Sequence, residues 1–312
     1  MKRAIAIAIV GAALLALPYA ASNDYYVNLG SQVLIASVFA MSLNLLVGYG
    51  GMTSLGHAAY LGLAAYSTAW LTLRFGLGPL AAGACAIGIT TFMAGVFGVL
   101  ALRAAGLGFL MITLALGQIL WGLAYRWVTV TGGDNGLSGL SRPRPFGLDL
   151  NGAQSFYYFA LAVFAVAFVL VAAFVRSPFG ASLEGARDQP RRMRALGYNV
   201  WLVRWITFVL AGFWGAVAGV LYVYYNNYIS PHALSLTQSA EVLLMVIAGG
   251  AATLSGPLVG AALVVVMKNV VSAYVERWTL LLGVVFVLIV MFLPDGLVPG
   301  ARRLYEHWRP RR

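Results

Sequence analysis

Long apolar runs alternate with short polar gaps along this chain, and that pattern predicts helices that cross a membrane. A helix needs roughly twenty residues to cross about 30 Å of hydrocarbon. Ten runs meet that length, at residues 4–20, 31–48, 54–73, 79–102, 107–125, 155–175, 203–225, 238–256, 257–275 and 279–296. Runs 54–73 and 238–256 are glycine-rich near one end, which is typical of broken or re-entrant segments. We therefore expect an all-α polytopic membrane protein with about ten spans (eight to ten), forming one membrane domain over residues 1–312.

Composition supports the membrane class and excludes several others. The chain is 61% hydrophobic and 9% charged, with a mean hydropathy of +0.86, which no water-soluble domain of this length would show. The net charge of +11 does not indicate nucleic-acid binding, because the charges lie in the polar gaps and at the termini. Cys85 is the single cysteine, and neither Lys2 nor Lys268 follows phosphate-loop glycines. We expect no catalytic residue, no metal site and no cofactor bound by this chain.

The positions of the basic residues predict the orientation. With ten spans and an inner N-terminus, the cytoplasmic side holds fourteen Lys and Arg residues: Lys2, Arg3, Arg103, Arg176, Arg187, Arg191, Arg192, Arg194, Arg204, Arg302, Arg303, Arg309, Arg311 and Arg312. The other side holds five: Arg74, Arg126, Arg142, Arg144 and Arg277. This bias places both termini, including a tail at 297–312, in the cytoplasm. Segment 4–20 is expected to be an uncleaved first span, and a cleaved secretory signal is the alternative.

Residues 176–204 form a charged segment between two apolar runs and carry six arginines. Pro190 can begin a short helix and Gly197 can end it. Another helical turn can begin at Ser177-Pro178 or at Ser182. A short capped helix outside the membrane suggests a surface for a soluble partner. The alternative is a solvated loop whose charges only fix the topology.

Two polar, glycine-rich inserts interrupt the apolar pattern. The first glycine-rich insert (residues 44–60) has four glycines and several hydrogen-bonding side chains, and the second (residues 249–257) resembles it loosely. Irregular backbone survives in a membrane only where protein or a water-filled cavity surrounds it. The first insert is therefore either a wall of a permeation path or a contact between closely packed helices. The likeness between the inserts suggests two related halves.

Candidate residues for a translocation path follow from this interpretation: Asn44, Gly50, Gly51, Ser54, His57, Thr113 and Gln118. For His57 the alternative is an imidazole at a helix start that bonds to nearby backbone. Thr113 and Gln118 lie about 140° apart around a helix, so we expect one of them to face the path. A third polar stretch, Thr131 to Leu137, is expected to be a turn-rich outer loop.

Two charges fall inside predicted spans. Glu241 lies near the outer end of run 238–256, and Lys268 lies about two turns from the outer end of run 257–275. An unpaired charge at the bilayer centre costs roughly 2.5–3.5 kcal/mol. Adjacent antiparallel helices would let the two side chains form an intramembrane ion pair. Lys268 reaching the interface alone is the rival interpretation.

The chain carries a series of short motifs between about residues 30 and 300: Ser42 to Gly51, Ser54 to Ala58, Thr113 to Ala115, Thr131 to Gly133, Ser177 to Gly180, Ala186 to Asp188, Ala195 to Val200, Ser239 to Glu241, Gly249-Gly250, Gly256-Pro257 and Pro294 to Leu297. Together these motifs resemble those of one family, the membrane permeases of ABC importers for branched-chain amino acids, and within it the M-type subunit.

The resemblance implies a coupling segment, Ala181 to Gly197, that inserts into a cleft on an ATPase subunit. The residues it assigns to this coupling are Glu184, Ala186, Arg187, Asp188 and Gly197. It also implies an H-type second permease, two ATPase subunits that hold ATP and Mg²⁺, a periplasmic binding protein, and the bacterial inner membrane. Three positions depart from the family pattern: Gly185, Ala181-Ser182 and Ala252. The first two put helix continuity around Glu184 in question, since a mid-helix glycine costs about 1 kcal/mol relative to alanine.

Leu, Ile and Val type amino acids are the implied substrates. Relatives of this kind also serve urea, short amides and aromatic carboxylates, which remain alternatives. An ion-coupled secondary transporter is the alternative from another class, and it would need acids or histidines inside the membrane, of which only Glu241 qualifies. A structural subunit of a membrane enzyme complex is a third possibility.

Overall fold

The computed structural model describes residues 11, 14–19, 23–143, 149–275 and 277–307. Most of these residues are helical, which confirms the all-α prediction. The predicted first span, 4–20, lies largely outside the described residues, although residues 14–19 are helical.

Twelve helices longer than one turn are labelled here in chain order within the described part: α1 Asp24–Asn44, α2 Ala58–Phe75, α3 Pro79–Ala101, α4 Leu107–Arg126, α5 Ala153–Arg176, α6 Pro178–Asp188, α7 Pro190–Ala195, α8 Val200–Asn226, α9 Leu236–Gly249, α10 Gly256–Asn269, α11 Trp278–Phe292 and α12 Leu297–His307. A π-helical turn, Leu45–Tyr49, continues α1. Short 3₁₀ turns cover Gly133–Asn135, Pro231–Leu234 and Val271–Ala273, and Val128–Thr131 is a single α-helical turn. Strand β1 (Leu137–Ser138) pairs antiparallel with β2 (Tyr228–Ile229), with Leu137 opposite Ile229.

Helices α1 and α8 form the centre of the molecule. Most of α1 is buried against α5, α8, α9 and α10, and α8 also packs on α2 and α3. Small residues allow these helices to approach closely. A Cβ on Gly212 would lie 2.3 Å from the Ala94 Cβ, and one on Gly219 would lie 2.2 Å from the Leu61 carbonyl oxygen. Helix contacts through small residues are the usual way to pack helices in lipid, where apolar surfaces gain little by leaving the solvent.

Six helices among the described residues are long and apolar enough to cross a membrane: α1 with its π turn, α3, α4, α5, α8, and α10 with its continuation to Ala273. Helices α9 and α11 are apolar but have only 14 and 15 residues. At 1.5 Å per residue they are about 20 Å long, which is less than the hydrocarbon thickness.

The predicted boundaries of the glycine-rich spans were wrong at one end. Run 54–73 becomes a helix only from Ala58, and run 238–256 stops being helical after Gly249. Residues 51–57 and 250–255 contain no regular helix, although their composition is apolar enough to extend a hydropathy window. The prediction that these two segments are broken is confirmed. Run 279–296 likewise ends early, at Phe292, two residues before Pro294.

Loops gather at two opposite ends of the bundle. At one end, which we call the basic end, Arg187 of α6 reaches the Gly48 carbonyl, and Gly250 lies against Gly296. At the other end, which we call the distal end, β1 pairs with β2, and Arg142 donates to the Tyr224 carbonyl at 3.2 Å. Consecutive membrane spans run in opposite directions, so their connecting loops must lie in two groups, as they do here. Which end faces the cytoplasm stays a prediction from the basic residues.

Candidate coupling and translocation site

The charged segment between α5 and α8 folds as two short helices. Ser177 caps α6 by accepting from Gly180 N at 3.3 Å, and Pro178 occupies the first turn, where its missing N–H costs nothing. Pro190 begins α7, and Gly197 follows it with φ +88°, a left-handed conformation that favours glycine. These observations confirm the predicted starts at Ser177-Pro178 and Pro190 and the predicted stop at Gly197, whereas Ser182, the alternative start, lies inside α6.

Helix α6 runs without interruption through Gly185, so the doubt about its continuity was wrong. The glycine has a packing role instead. A Cβ at position 185 would lie 2.8 Å from the Met193 sulfur, so the absence of a side chain lets α7 fold back onto α6. The cost of a mid-helix glycine is therefore offset by this contact.

The two faces of this helix pair differ in character. Leu183 and Ala186 are buried against the helix bundle, and the Ala186 carbonyl accepts from Arg204 Nη2 at 3.0 Å. Ala186 thus faces the bundle and not the solvent. The opposite face exposes charged residues together with two apolar side chains: Glu184, Asp188, Arg191, Arg192, Arg194, Leu196 and Tyr198. Leu196 is 66% exposed and Tyr198 is 48% exposed, so this face is more apolar than a loop that only fixes topology requires.

Arg187 connects α6 to the end of α1. Its Nη1 donates to the Gly48 carbonyl at 2.7 Å, and its Nε donates to Asp188 Oδ1 at 2.7 Å. This second hydrogen bond lowers the pKa of the Asp188 carboxyl below its ordinary value. Gly51, at φ +64°, lies beneath the Arg187 side chain, and a Cβ there would be 2.5 Å from Arg187 Cγ. The first insert therefore needs glycine at position 51 for both conformation and contact.

Asn44 joins the first glycine-rich insert to the second. Its Oδ1 accepts from Ala252 N at 3.0 Å, and its Nδ2 donates to the Thr253 carbonyl at 2.9 Å. A Cβ on Gly48 would lie 2.3 Å from Ala252 N, so the two backbones are in direct contact. We call this contact, made by residues 44–48 with 252–253, the insert interface. It contains most of the π turn Leu45–Tyr49, and such turns occur frequently at functional sites.

The second insert is a tight turn that is bonded internally. Thr253 Oγ1 donates to the Gly250 carbonyl at 2.7 Å and accepts from Gly256 N at 3.0 Å. Ala252, between them, has φ +59°, which an alanine adopts only at a cost of about 1–2 kcal/mol. Ala252, which departs from the family pattern, is therefore a point of backbone strain.

His57 lies in a buried polar cluster at the start of α2. Its Nε2 is 2.7 Å from Ser42 Oγ, and Ser42 donates its own proton to the Phe39 carbonyl at 2.6 Å. With that proton donated to Phe39, the Ser42 oxygen is left to accept a hydrogen bond from Nε2. Ser239 Oγ accepts from Ala58 N at 3.1 Å and so joins α9 to α2. The imidazole thus bonds a side chain of α1, and not the nearby backbone that the alternative interpretation assumed.

The other path candidates lie in different surroundings. Ser54 is buried, and its Oγ accepts from Gly56 N at 3.4 Å. Thr113 is buried against the first insert, where a Cβ on Gly56 would be 1.9 Å from the Thr113 carbonyl oxygen. Gly50 lies against the Leu46 carbonyl at the end of the π turn. Gln118 differs from all of these, because it lines a cavity of about 430 Å³ at the distal end.

Glu241 and Lys268 lie close together. Lys268 Nζ is 3.0 Å from Glu241 Oε2 and 3.2 Å from Oε1. The two groups join α9 to α10 near the distal end, and Lys268 Nζ also lies 5.8 Å from the centre of the Trp278 ring. The geometry is that of an ion pair between antiparallel helices, and not of a lysine extending alone to the interface.

Sequence reasoning missed several residues of this arrangement. Ser42 and Ser239 stood inside the quoted motifs but were not singled out, and they form the polar contacts of α2. Arg204, which fastens α8 to α6, was counted only as a topology signal. Their hydroxyl and guanidinium groups in apolar surroundings were the available signal, since buried polar groups need partners.

These features define a class: a polytopic membrane permease with an external helix pair tied to broken helices inside the bundle. The chain belongs to the family described as the permease component of the branched-chain amino acid transport system, whose model matches residues 25–293.

Individual relatives carry the same description. The chain is 27% identical over 305 residues to the high-affinity branched-chain amino acid transport system permease protein LivM of Salmonella typhimurium, which covers 88% of this chain and 70% of that protein. The LivM protein of Escherichia coli gives the same identity and coverage. A probable LivM of Methanocaldococcus jannaschii is 28% identical over 182 residues, covering 53% of this chain and 52% of that protein. No solved structure matches the chain.

Proposed function

We propose that this protein is the membrane-spanning subunit of an ATP-driven importer and that it translocates branched-chain aliphatic amino acids across the bacterial inner membrane. Its family and the printed descriptions of its relatives support the substrate class. The complex would contain a second permease of the H type, two ATPase subunits and a periplasmic binding protein. The chain itself would bind no ATP or Mg²⁺, and both termini would be cytoplasmic.

The observation that carries this proposal is the two-faced helix pair α6–α7. One face is exposed and combines charges with Leu196 and Tyr198, a composition suited to a partner protein. The other face is bonded through Arg187 to Gly48. A partner that binds the exposed face and moves the helix pair would therefore also move the end of α1.

The geometry gives this movement a defined route. Displacement of α6 pulls on the Gly48 carbonyl, which belongs to the π turn that continues α1. Asn44, one turn earlier, holds the second insert through two hydrogen bonds. The second insert separates α9 from α10, so both of these helices are attached to the same movement. A rocking motion of this kind is how such bundles alternate between outward-open and inward-open states.

The structure does not favour the alternative function, an ion-coupled secondary transporter. Coupling to protons or sodium needs a carboxylate or histidine that can change its charge inside the membrane. Glu241 is the buried carboxylate among the described residues, and Lys268 neutralises it at 3.0 Å. The imidazole of His57 is fully enclosed and bonded to Ser42.

Site-directed cross-linking tests the ATPase contact. Cys85→Ser gives a cysteine-free chain, into which a single cysteine is introduced by Glu184→Cys on the exposed face of α6. A short thiol-to-amine cross-linker in intact cells should then join the chain to an ATP-binding protein. Ala186 is unsuitable for this purpose because its side chain is buried.

The matched control is Asp24→Cys, an exposed position at the distal end. It should give no product with the ATPase. If Glu184→Cys also gives none, or if the isolated chain in liposomes accumulates leucine on an ion gradient without ATP, the proposal is wrong.

A further inference from the structure

The distal end of the bundle contains a cleft of about 430 Å³, which we call the distal cleft. Helix α4 forms one wall, and the 3₁₀ turn Pro231–Leu234 with the start of α9 forms the other. The polar and aromatic groups that line it are Gln118, Trp121, Tyr125, Asp134, His232 and Ser235. Its volume falls within the range of about 300–1,000 Å³ that is usual for small-ligand sites.

The walls of the distal cleft are fixed by hydrogen bonds. Thr131 Oγ1 donates to the Ala124 carbonyl at 2.6 Å and accepts from Gly133 N at 3.2 Å, which holds the loop that carries Asp134 against α4. The pairing of Leu137 with Ile229 joins this loop to the opposite wall. A site that is ordered before the ligand arrives loses little entropy on binding.

The lining offers apolar surface for the side chain of an amino acid and a carboxylate for its ammonium group. Trp121 and Tyr125 stack in parallel with ring centres 5.4 Å apart, and Leu114 and Leu236 add aliphatic surface beside them. The Asp134 carboxylate is exposed and forms no ion pair with any described residue.

Two neutral groups can serve a ligand carboxylate. The Gln118 amide makes no hydrogen bond to another described side chain or backbone group, so its N–H donors are available. Ser235 Oγ accepts from Gln238 N at 3.2 Å, which leaves the hydroxyl proton free to donate.

We propose that the distal cleft is an amino-acid acceptor site on the permease. Asp134 binds the ammonium group, Gln118 and Ser235 donate to the carboxylate, and the aliphatic side chain lies on Trp121. The inference rests on the proposed function and adds a location for the substrate after it leaves its delivering protein. It also gives this chain a share in selectivity, because Asp134 attracts a zwitterion and repels a ligand that is only an anion.

Protection of an introduced thiol tests the site without requiring transport. The complete transporter, with Cys85→Ser and Leu236→Cys, is placed in nanodiscs so that both faces are accessible, and the rate of modification by a small charged thiol reagent is measured. Leucine should slow the reaction at least fivefold, and benzoate should not. Adding Asp134→Asn should raise the leucine concentration for half-protection about tenfold, as expected for a hydrogen bond to a charged group.

Two matched controls separate the distal cleft from general effects. Tyr274→Cys, exposed at the same end but outside the cleft, should react at a rate that leucine does not change. Asp24→Asn removes an exposed carboxylate at that end and should leave half-protection unchanged.

The inference is overturned if leucine protects neither thiol, if it protects both equally, or if the ligand-free binding protein alone protects Leu236→Cys. Leucine uptake by the same preparation in liposomes is measured in parallel. ATP-dependent uptake without protection rejects the distal cleft and leaves the proposed function intact. Failure of ATP-dependent uptake in the unmodified complex rejects the proposed function, whatever the thiol reaction shows.

Discussion

Replacing Arg187 by alanine should uncouple ATP hydrolysis from transport. The side chain makes a charge-assisted hydrogen bond of 2.7 Å to the Gly48 carbonyl, and bonds of this kind contribute about 1.5–3 kcal/mol. Each 1.4 kcal/mol is about a factor of ten in an equilibrium constant. We therefore expect the amount of leucine moved per ATP hydrolysed to fall at least about tenfold.

The assay measures both quantities in one sample. The complete transporter is reconstituted in proteoliposomes with loaded binding protein, and labelled leucine uptake and phosphate release are followed together. Arg192→Ala is the matched control, because Arg192 lies on the exposed face of α7 and its side chain makes no hydrogen bond or ion pair with another described residue. It should leave the ratio unchanged even if it weakens ATPase binding.

Arg187→Lys separates charge from geometry. Lysine keeps the positive charge but cannot donate to Asp188 and Gly48 through two fixed nitrogens. The ratio should lie between those of the wild type and the alanine variant. The reasoning is refuted if Arg187→Ala keeps the wild-type ratio, or if it simply releases the ATPase subunits, since Arg187 would then belong to the partner interface.

Three further changes test other contacts. Ala252→Gly should stabilise the protein by about 1 kcal/mol, because glycine adopts φ +59° without strain, and a rise in the tryptophan-fluorescence melting temperature would show it. Asn44→Asp should destabilise it by about 1–3 kcal/mol by replacing the donor to the Thr253 carbonyl with an acceptor, whereas an unchanged melting temperature would mean that the insert interface is not held by this bond. Glu241→Lys and Lys268→Glu should each reduce the yield of folded protein, at a cost of up to about 3 kcal/mol, and the double exchange should restore it; a double variant no better than either single one would count against the pair.

The features that sequence alone predicted well are local ones. Ser177-Pro178, Pro190 and Gly197 act on the backbone within one or two residues of themselves, so the limits of α6 and α7 follow from the residue types. Residues 51–57 show where this reasoning fails. They are apolar enough to extend a span, but Gly51 has φ +64° beneath Arg187 and Gly56 lies against the Thr113 carbonyl of α4, and neither distant contact can be read from the sequence.

Contacts between residues that lie far apart in the sequence could not be predicted. The two inserts resembled each other, yet nothing in the sequence showed that Asn44 bonds Ala252 and Thr253, about 200 residues later. The same holds for Ala58 N and Ser239 Oγ, which meet only because α2 and α9 pack together. The Glu241–Lys268 pair could be predicted from the sequence. In adjacent antiparallel helices, the depth of each side chain in the membrane follows from counting residues along the helix.

The polar contacts determine which parts of this bundle move together. Breaking a buried hydrogen bond leaves a polar group unsatisfied at a cost of about 1–3 kcal/mol, so helices joined by such bonds resist relative movement. Asn44 and Arg187 bind α1, the second insert and α6 into one unit. Helix α4 meets that unit through the bare backbones of Gly56 and Gly117, with no described side-chain hydrogen bond between them. Under the proposed function, a displacement of α6 would move α1, α9 and α10 relative to α4. Such a displacement would be carried toward the distal end along α1, because that helix runs from Asp24 at the distal end to Asn44 at the insert interface.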